Sequence, residues 1–183
     1  MKATGIVRRI DDLGRVVIPK EIRRTMRIRE GDPLEIYTDH EGEVIFKKYS
    51  PIGELAEFAV QYADTLHKVC ELSVIITDRD AVIATAGVPK KEYMDKRVSN
   101  ELEKIIEGRT VYSRRQGEEK ILVTNDGRDS HYVSCAMPII TEGDIIGCVV
   151  SVLPVENDVN KNSELETKLV QTAANFLSKQ LEG

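Results

Sequence analysis

Positive charge is concentrated in the first 29 residues of this chain. Residues 2–29 hold nine Lys or Arg residues and three acidic ones, and nine minus three gives a local net charge of +6. The whole chain of 183 residues has a net charge of −5, so the remainder is acidic on balance. A polyanion is attracted to one end of such a chain and repelled by the rest. This pattern indicates a nucleic-acid partner, with DNA the first to test.

The basic segment also has the pattern of a small β module with one short helix. Residues 3–10 and 15–18 have the residue pattern of two strands that flank a turn. Pro19 is expected in the first position of a helix. Strands at 33–38 and 43–47 follow. A module of this size has little apolar material and no cysteine, so it is marginal alone. A core shared by two chains that exchange strands is the economical solution.

These residues carry a resemblance to a known family. The run is GIVRRIDDLGRVVIPKEIRRTMRIREGDPLEIYTDHEGEVIFKKY. It resembles the AbrB-type, swapped-hairpin DNA-binding domain of bacterial transition-state regulators, which implies a mainly β domain at residues 1–50, interleaved as a dimer. By motif position the resemblance implies DNA contacts from Arg8, Arg15, Arg23 and Arg24, with phosphate contacts from Arg9, Lys2 and Lys20. DNA flexibility and groove shape would be read as much as base identity.

The chain shows little sign of catalytic or metal chemistry. Asp11 and Asp12 could suggest a metal site, but a turn explains them more simply, and they are expected to shape the loop that presents Arg15. The sequence has no glycine-rich phosphate loop, no metal-ligand cluster and no nucleophile beside a base. We therefore expect no enzyme, no metal and no cofactor.

The three cysteines are too widely spaced for a zinc finger or a disulfide scaffold, and we interpret them as core thiols. Two of them fall in an apolar hairpin formed by strands 132–140 and 145–153. A two-residue loop at Glu142-Gly143 would pair residues whose numbers sum to 285. This register predicts that Cys135 lies opposite Val150 and that Cys148 lies on the same face of the hairpin.

Ser50 and Pro51 mark the end of the first domain, since they suit the start of a helix. Apolar residues then recur at spacings of four and three, which is typical of a helix that packs against another helix. These residues are Leu55, Ala59, Tyr62, Leu66 and Val69. The pattern predicts a linker helix at residues 51–71 that packs with the C-terminal domain.

Residues 72–183 alternate strand-like and helix-like segments and predict an α+β domain. We expect an antiparallel sheet with flanking helices packed on one face, a helix capped by Ser99, and a final helix from Ser163. The phrases SVIITDRDAVIATAG and SCAMPIITEGDIIGCVVSV resemble the first and last hairpins of a GAF domain. That resemblance implies a domain for sensing and oligomerisation. An unknown small-molecule ligand would bind beneath residues 88–115.

With these two domains in this order, the chain resembles a family of sporulation transcription regulators. They imply a sequence-tolerant regulator that binds double-stranded DNA and acts as activator and repressor. The alternative is a metabolite-sensing or antitoxin-like protein whose N-terminal domain mainly assembles chains. Dimer and tetramer both stay open, with a tetramer through the C-terminal helices expected. No apolar run reaches the ~18 residues needed to span a bilayer, so we expect no membrane contact and a cytoplasmic, nucleoid-associated protein.

Overall fold

The computed structural model describes residues 5–126, 129–156 and 163–182. The chain divides into two compact units, Met1–Tyr49 and Ser50–Gly183, which are called the N-terminal unit and the C-terminal unit below. Within the described ranges, every helix is too short or too polar to cross a membrane.

The N-terminal unit consists of one short helix and one hairpin. Its elements are α1 (Lys20–Met26), β1 (Leu34–Thr38) and β2 (Val44–Lys48). Pro19 directly precedes α1, and Arg27 ends the helix in the left-handed conformation with φ of 51°. The two strands pair antiparallel from Leu34–Lys48 to Thr38–Val44. Asp39 closes the turn between them, because its Oδ1 accepts hydrogen bonds from the backbone N–H groups of Glu41 and Glu43.

The first two predicted strands of this unit are absent from the single chain. Among the described residues 5–18, the structure has a turn at 11–14 and no strand. A strand requires a neighbour that satisfies its backbone hydrogen bonds. The apolar side chains here also stay in solvent: Val7 is 87% exposed and Val17 is 74% exposed. The prediction of strands is therefore wrong for an isolated chain at residues 5–10 and 15–18, and residues 3–4 lie outside the described residues.

The C-terminal unit is built on a five-stranded antiparallel sheet in the order β4-β3-β7-β6-β5. Its strands are β3 (Ser73–Asp78), β4 (Val82–Ala86), β5 (Tyr112–Ser113), β6 (His131–Thr141) and β7 (Asp144–Pro154). Its helices are α2 (Pro51–Glu54), α3 (Ala56–Cys70), α4 (Lys90–Tyr93), α5 (Asn100–Glu107) and α6 (Ser163–Leu181).

Both faces of the sheet are covered, whereas the sequence predicted helices on one face only. Val74 and Ile76 of β3 point to the side that packs on α3 and α6. Ile75, between them, joins Tyr93 of α4 and Leu102 of α5 on the other side. Alternation along a strand sends successive side chains to opposite faces, so a fully buried strand such as β3 requires a cover on each side.

The predicted linker helix is interrupted at Leu55, which separates α2 from α3. The buried residues of α3 are Ala59, Ala63 and Leu66, and Val69 is 75% exposed. The predicted seam is therefore wrong at its C-terminal end. The reason is that α3 packs on strands β3 and β4 of the sheet, which favours small side chains and selects a different stripe from that of a helix pair.

The final helix and the cap of α5 follow the sequence pattern more closely. Helix α6 begins at Ser163, as predicted. Its residues Ala173 and Leu177 are fully buried, while Leu165 is exposed. Ser99 caps α5, since its Oγ accepts a hydrogen bond from the N–H of Leu102 at 3.0 Å, which confirms the prediction. Residues 120–124 form isolated bridges such as Leu122–Tyr132.

The hairpin of β6 and β7 corrects the predicted cysteine geometry. Next to its Glu142-Gly143 loop the paired residues sum to 285, as predicted, but the register shifts between Ile139 and Ile140. Cys135 therefore pairs with Ser151, and Cys148 pairs with Pro138. One extra residue in β7 turns the following side chains to the opposite face. As a result Cys135 and Cys148 lie in the cores on opposite sides of the sheet.

Candidate nucleic-acid interface

The six predicted DNA-contacting side chains that the structure describes lie on three short segments. Arg8 and Arg9 precede the turn, Arg15 follows it, and the remaining three lie on α1. All six of these side chains are exposed: Arg8, Arg9, Arg15, Lys20, Arg23 and Arg24. Lys2 lies outside the described residues.

Helix α1 carries two of these arginines in its last turn and has no buried residue. Ile22 is half-buried, and Met26 on the same stripe is 50% exposed. The backbone N–H of Ile28 donates to the carbonyl of Arg23 at 2.8 Å, which closes the C-terminal end of the helix. The helix therefore presents Arg23 and Arg24 at an end whose geometry is fixed by local hydrogen bonds.

The turn that precedes Arg15 is organised by Asp11. The Oδ1 of Asp11 accepts hydrogen bonds from the N–H groups of Leu13 and Arg15 at 3.0 and 2.8 Å. Its Oδ2 lies 2.8 Å from Nε of Arg15. Hydrogen bonds from the Arg15 backbone and side chain hold the pKa of the Asp11 carboxyl below its usual range. The predicted role of Asp11 in shaping this loop is confirmed, and Asp12 takes no part in these contacts.

Sequence reasoning did not identify a second set of contacts, those that hold the segment after α1. Nζ of Lys48 on β2 donates to the carbonyl oxygen of Arg27 at 3.1 Å and lies 3.5 Å from Oδ2 of Asp32. That carboxylate also accepts from the N–H of Arg29 at 2.8 Å. The signal in sequence is weak, because Lys48 and Asp32 belong to different elements and meet only through packing.

Carboxylates in the first hairpin come close enough together for a cation. Oxygens of Asp39, Glu41 and Glu43 lie within 4.8 Å of one another, and all three side chains are exposed. Asp39 already uses one oxygen to close its turn. Exposed acidic clusters of this kind are common on proteins, and this one is accounted for by the turn and by solvent.

Residues 88–115, beneath which a ligand is predicted to bind, contribute buried side chains to the core on this face of the sheet. Tyr93, Val98, Leu102 and Ile106 pack there against the sheet and are 0–2% exposed. Outside this core lies an open groove of about 670 Å³. Its lining includes Ser99, Glu101, Lys104, Tyr112, Ile121 and Asn125.

Two protein-family descriptions match the chain. Residues 54–182 match "Stage V sporulation protein T C-terminal, transcription factor". Residues 7–53 match "Antidote-toxin recognition MazE, bacterial antitoxin".

Two relatives from Bacillus subtilis cover different lengths of the chain. Stage V sporulation protein T is 51% identical over 182 residues, which span 100% of this chain and 99% of the relative. Transition state regulatory protein AbrB is 65% identical over 51 residues, which span 28% of this chain and 52% of AbrB. The identity to AbrB confirms the predicted AbrB-type N-terminal domain.

The C-terminal unit has structural relatives among GAF domains. The GAF domain from a phosphoenolpyruvate-protein phosphotransferase of Coxiella burnetii superposes with a TM-score of 0.52 at 13% identity. The match covers 70% of this chain and 82% of that domain. At this identity the likeness concerns the fold alone, and it confirms the predicted GAF-like fold.

Proposed function

Because the chain belongs to the family described as stage V sporulation protein T C-terminal, transcription factor, we propose that it is a DNA-binding regulator of sporulation genes. The observation that carries this proposal is the basic surface of the AbrB-type unit, on which the described arginines are exposed in the segments around the turn and in α1. The proposed role involves no catalysed reaction. It places the chain in the cytoplasm, on the nucleoid.

The residues proposed to contact DNA are those that match the family motif. Arginine suits this role because its planar guanidinium stays charged and can bridge phosphate oxygens or a guanine edge. We assign DNA contacts to Arg8, Arg15, Arg23 and Arg24, and phosphate contacts to Arg9, Lys2 and Lys20. Shape and deformability of DNA contribute as much as base identity in this proposal, so the regulator tolerates variation in sequence.

The exposed apolar side chains around the turn support an interleaved dimer. An isolated chain leaves six of them substantially in solvent: Ile6, Val7, Ile10, Leu13, Val16 and Val17. Burial of such side chains is the main driving force of association, and unpaired strand-forming segments gain backbone hydrogen bonds from a second copy. Two chains that exchange residues 5–18 would satisfy both needs and would bring two sets of arginines together.

The outer helices of the C-terminal unit support a further association, from dimer to tetramer. α3 exposes Phe58 and Val69, and α6 exposes Leu165. The rings of Tyr62 on α3 and Phe176 on α6 stack with centroids 5.0 Å apart, so the two helices form one surface. Large apolar side chains exposed on such a surface are typical of an interface. We propose that two dimers join through these helices.

The test of DNA binding is a salt series with the full chain, with the mass of the assembly measured on the same samples. We expect the logarithm of affinity to fall steeply with the logarithm of salt concentration, since bound phosphates release counterions. Arg23→Ala should lower affinity and reduce the salt slope by about one, with the mass unchanged. Lys91→Ala, which removes one exposed charge from the C-terminal unit, is the matched control and should change neither the affinity nor the salt slope. A wild-type chain that binds no duplex would overturn the proposal.

A second candidate function rests on the match of residues 7–53 to a bacterial antitoxin family. In this alternative the N-terminal unit assembles chains and binds a protein partner. Co-purification of an unrelated chain with the full protein, together with a flat salt slope for DNA, would favour it. The 65% identity to AbrB over the same region favours the DNA-binding function.

Ligand sensing is the finer part of the proposal and concerns the C-terminal unit. The supporting observation is the open groove beside α5, which combines the Tyr112 ring with the charged side chains of Glu101 and Lys104. Nucleotides and amino acids, tested singly by thermal unfolding, should include one that raises the melting temperature. Lys104→Ala should reduce that rise, and a ligand whose effect is unchanged in this variant would bind elsewhere.

A further inference from the structure

The ion pair between Asp11 and Arg15 restricts what Arg15 can contact. Asp11 is held by its own turn, because its N–H donates to the carbonyl of Arg15 at 3.0 Å and its carbonyl accepts from the N–H of Gly14 at 3.0 Å. Gly14 has φ of +76°, a conformation that glycine adopts without strain. The carboxylate therefore occupies a fixed position relative to the Arg15 side chain.

The contact engages only one edge of the guanidinium. Nε of Arg15 donates to Oδ2 of Asp11 at 2.8 Å, which leaves both terminal Nη groups to reach outward. The Arg15 side chain is 69% exposed, so these groups face solvent. Two Nη donors side by side match the O6 and N7 acceptors of guanine, which lie on the major-groove edge of the base.

The charge of Asp11 separates the two kinds of DNA acceptor. A carboxylate beside the guanidinium repels a phosphate that approaches the same group. The guanine edge carries no net charge and meets little of this repulsion. The carboxylate also reduces the rotational freedom that Arg15 would lose on binding, which favours a geometrically demanding contact. The neighbouring Asp12 brings the same charge to the turn without contacting Arg15.

We propose that Asp11 is a positioning residue that directs Arg15 to the O6 and N7 atoms of guanine instead of to phosphate. This inference rests on the proposed DNA binding and adds a specificity role to a residue that the charge pattern alone would assign against DNA. Arg15 thereby differs from Arg8, Arg9, Arg23 and Arg24, for which the described part of the unit shows no such carboxylate contact.

The experiment uses the full chain and a short duplex that the wild-type protein selects from a random-sequence pool. Its guanines are replaced in one version by 7-deazaguanine, which lacks the N7 acceptor, and in another by inosine, which keeps N7 and O6. We expect about a tenfold loss of wild-type affinity with 7-deazaguanine and little loss with inosine. Arg15→Ala should lose the sensitivity to 7-deazaguanine and keep the salt slope, because it removes a contact to the base and none to phosphate.

Two variants then test the role of Asp11 against that of its neighbour. Asp11→Asn keeps an oxygen that can accept the turn hydrogen bonds but loses the charge. We expect it to bind a scrambled duplex more tightly, to raise the salt slope by about one, and to prefer the selected duplex less. Asp12→Asn makes the same change of net charge and should keep the wild-type preference. Mass and thermal unfolding, measured for each variant, establish that the assembly is intact.

Three outcomes would overturn the inference, and they are distinguishable. Equal effects of Asp11→Asn and Asp12→Asn would mean that net charge, not positioning, is responsible. Wild-type binding that is insensitive to 7-deazaguanine, with a lower salt slope in Arg15→Ala, would identify Arg15 as a phosphate contact. A wild-type chain that binds neither the pool nor any duplex would overturn the proposed function itself.

Discussion

Lys48 of β2 and Asp32 form an ion pair that ties the C-terminal end of α1 to the hairpin. Nζ and Oδ2 are 3.5 Å apart, and the side chains are 23% and 3% exposed. The same Nζ donates to the Arg27 carbonyl, and the same Oδ2 accepts from the Arg29 N–H. One lysine thus satisfies a helix-terminal carbonyl and a nearly buried carboxylate at once. The pair therefore connects the end of α1, which carries Arg23 and Arg24, to the hairpin.

We predict that Lys48→Met destabilises the N-terminal unit by about 1–3 kcal/mol, since it removes a charged donor that contacts both the nearly buried Asp32 carboxylate and a helix-terminal carbonyl. Amide hydrogen exchange in α1, measured on the full chain, should accelerate by the factor that corresponds to this loss of unfolding free energy. Lys47→Met is the control, because Lys47 is exposed and its Nζ lies over the Tyr37 ring, 4.4 Å from the ring centroid. Equal acceleration in the two variants would contradict a special role for Lys48.

A second prediction concerns Gly147 in β7, which faces Asp78 of β3. A Cβ at this position would lie 2.2 Å from the backbone oxygen of Thr77, far inside van der Waals contact. The backbone of a central strand pair cannot move away without loss of its hydrogen bonds. Gly147→Ala should therefore lower the unfolding free energy of the C-terminal unit by about 1–3 kcal/mol.

The control for this substitution is Gly53→Ala in α2. A Cβ there would meet only Ser50, at 3.5 Å, which is ordinary contact. Alanine also has the higher helix propensity, so this variant should be neutral or stabilised by up to about 1 kcal/mol. Urea denaturation of both variants measures the difference, and a Gly147→Ala protein as stable as the wild type would refute the steric argument.

Features set by neighbouring residues were predictable from the sequence. The cap of α5 needs only Ser99 and the N–H of Leu102 three residues later, and the β6–β7 loop needs only Glu142-Gly143. Exposure of Arg15, Arg23 and Arg24 follows from their charge. These local rules act within one turn of chain, so no knowledge of the remaining fold is required.

Features set by packing between distant segments were not predictable. The extra residue in β7 has no signature in the hydrophobic pattern, yet it moved Cys135 and Cys148 to opposite sides of the sheet. Val69 fits a helix seam but is exposed, because the sheet and not another helix selects the buried stripe of α3. The Lys48–Asp32 pair likewise arises only once β2 lies beside the end of α1.

The positions of the three thiols lead to a third prediction. Burial raises the pKa of Cys135 to about 11 and that of Cys148 further. Since the thiolate is the reactive form, neither should react with iodoacetamide at neutral pH. Cys70 is only partly buried, so the native protein should take one label, and the protein in denaturant should take three. If the native Cys70→Ser protein still reacted with iodoacetamide, a core thiol would have to be accessible.

The fourth prediction is a loss of stability of the C-terminal unit in mild acid, caused by His131. Nδ1 of His131 lies 2.8 Å from Oγ of Ser130 and 3.4 Å from the hydroxyl of Tyr93. Burial lowers the pKa of His131 below its ordinary value of 6.5, against the smaller opposing effects of Glu92 and Asp129. The unfolded chain therefore binds a proton at a higher pH than the folded chain does. The contribution of neutral His131 to the unfolding free energy is fully present above pH 6.5 and is lost as the pH drops below that value.

Urea midpoints of the wild type and of His131→Asn, compared between about pH 7.5 and about pH 5.5, measure this linkage. Asparagine keeps a hydrogen-bonding group near Ser130 but does not titrate, so the variant should lose less stability across this range than the wild type. His40→Asn, in the exposed turn of the N-terminal unit, should keep the full wild-type dependence. An identical pH dependence in His131→Asn and the wild type would assign the loss to other groups, because only a proton taken up at position 131 distinguishes the two proteins.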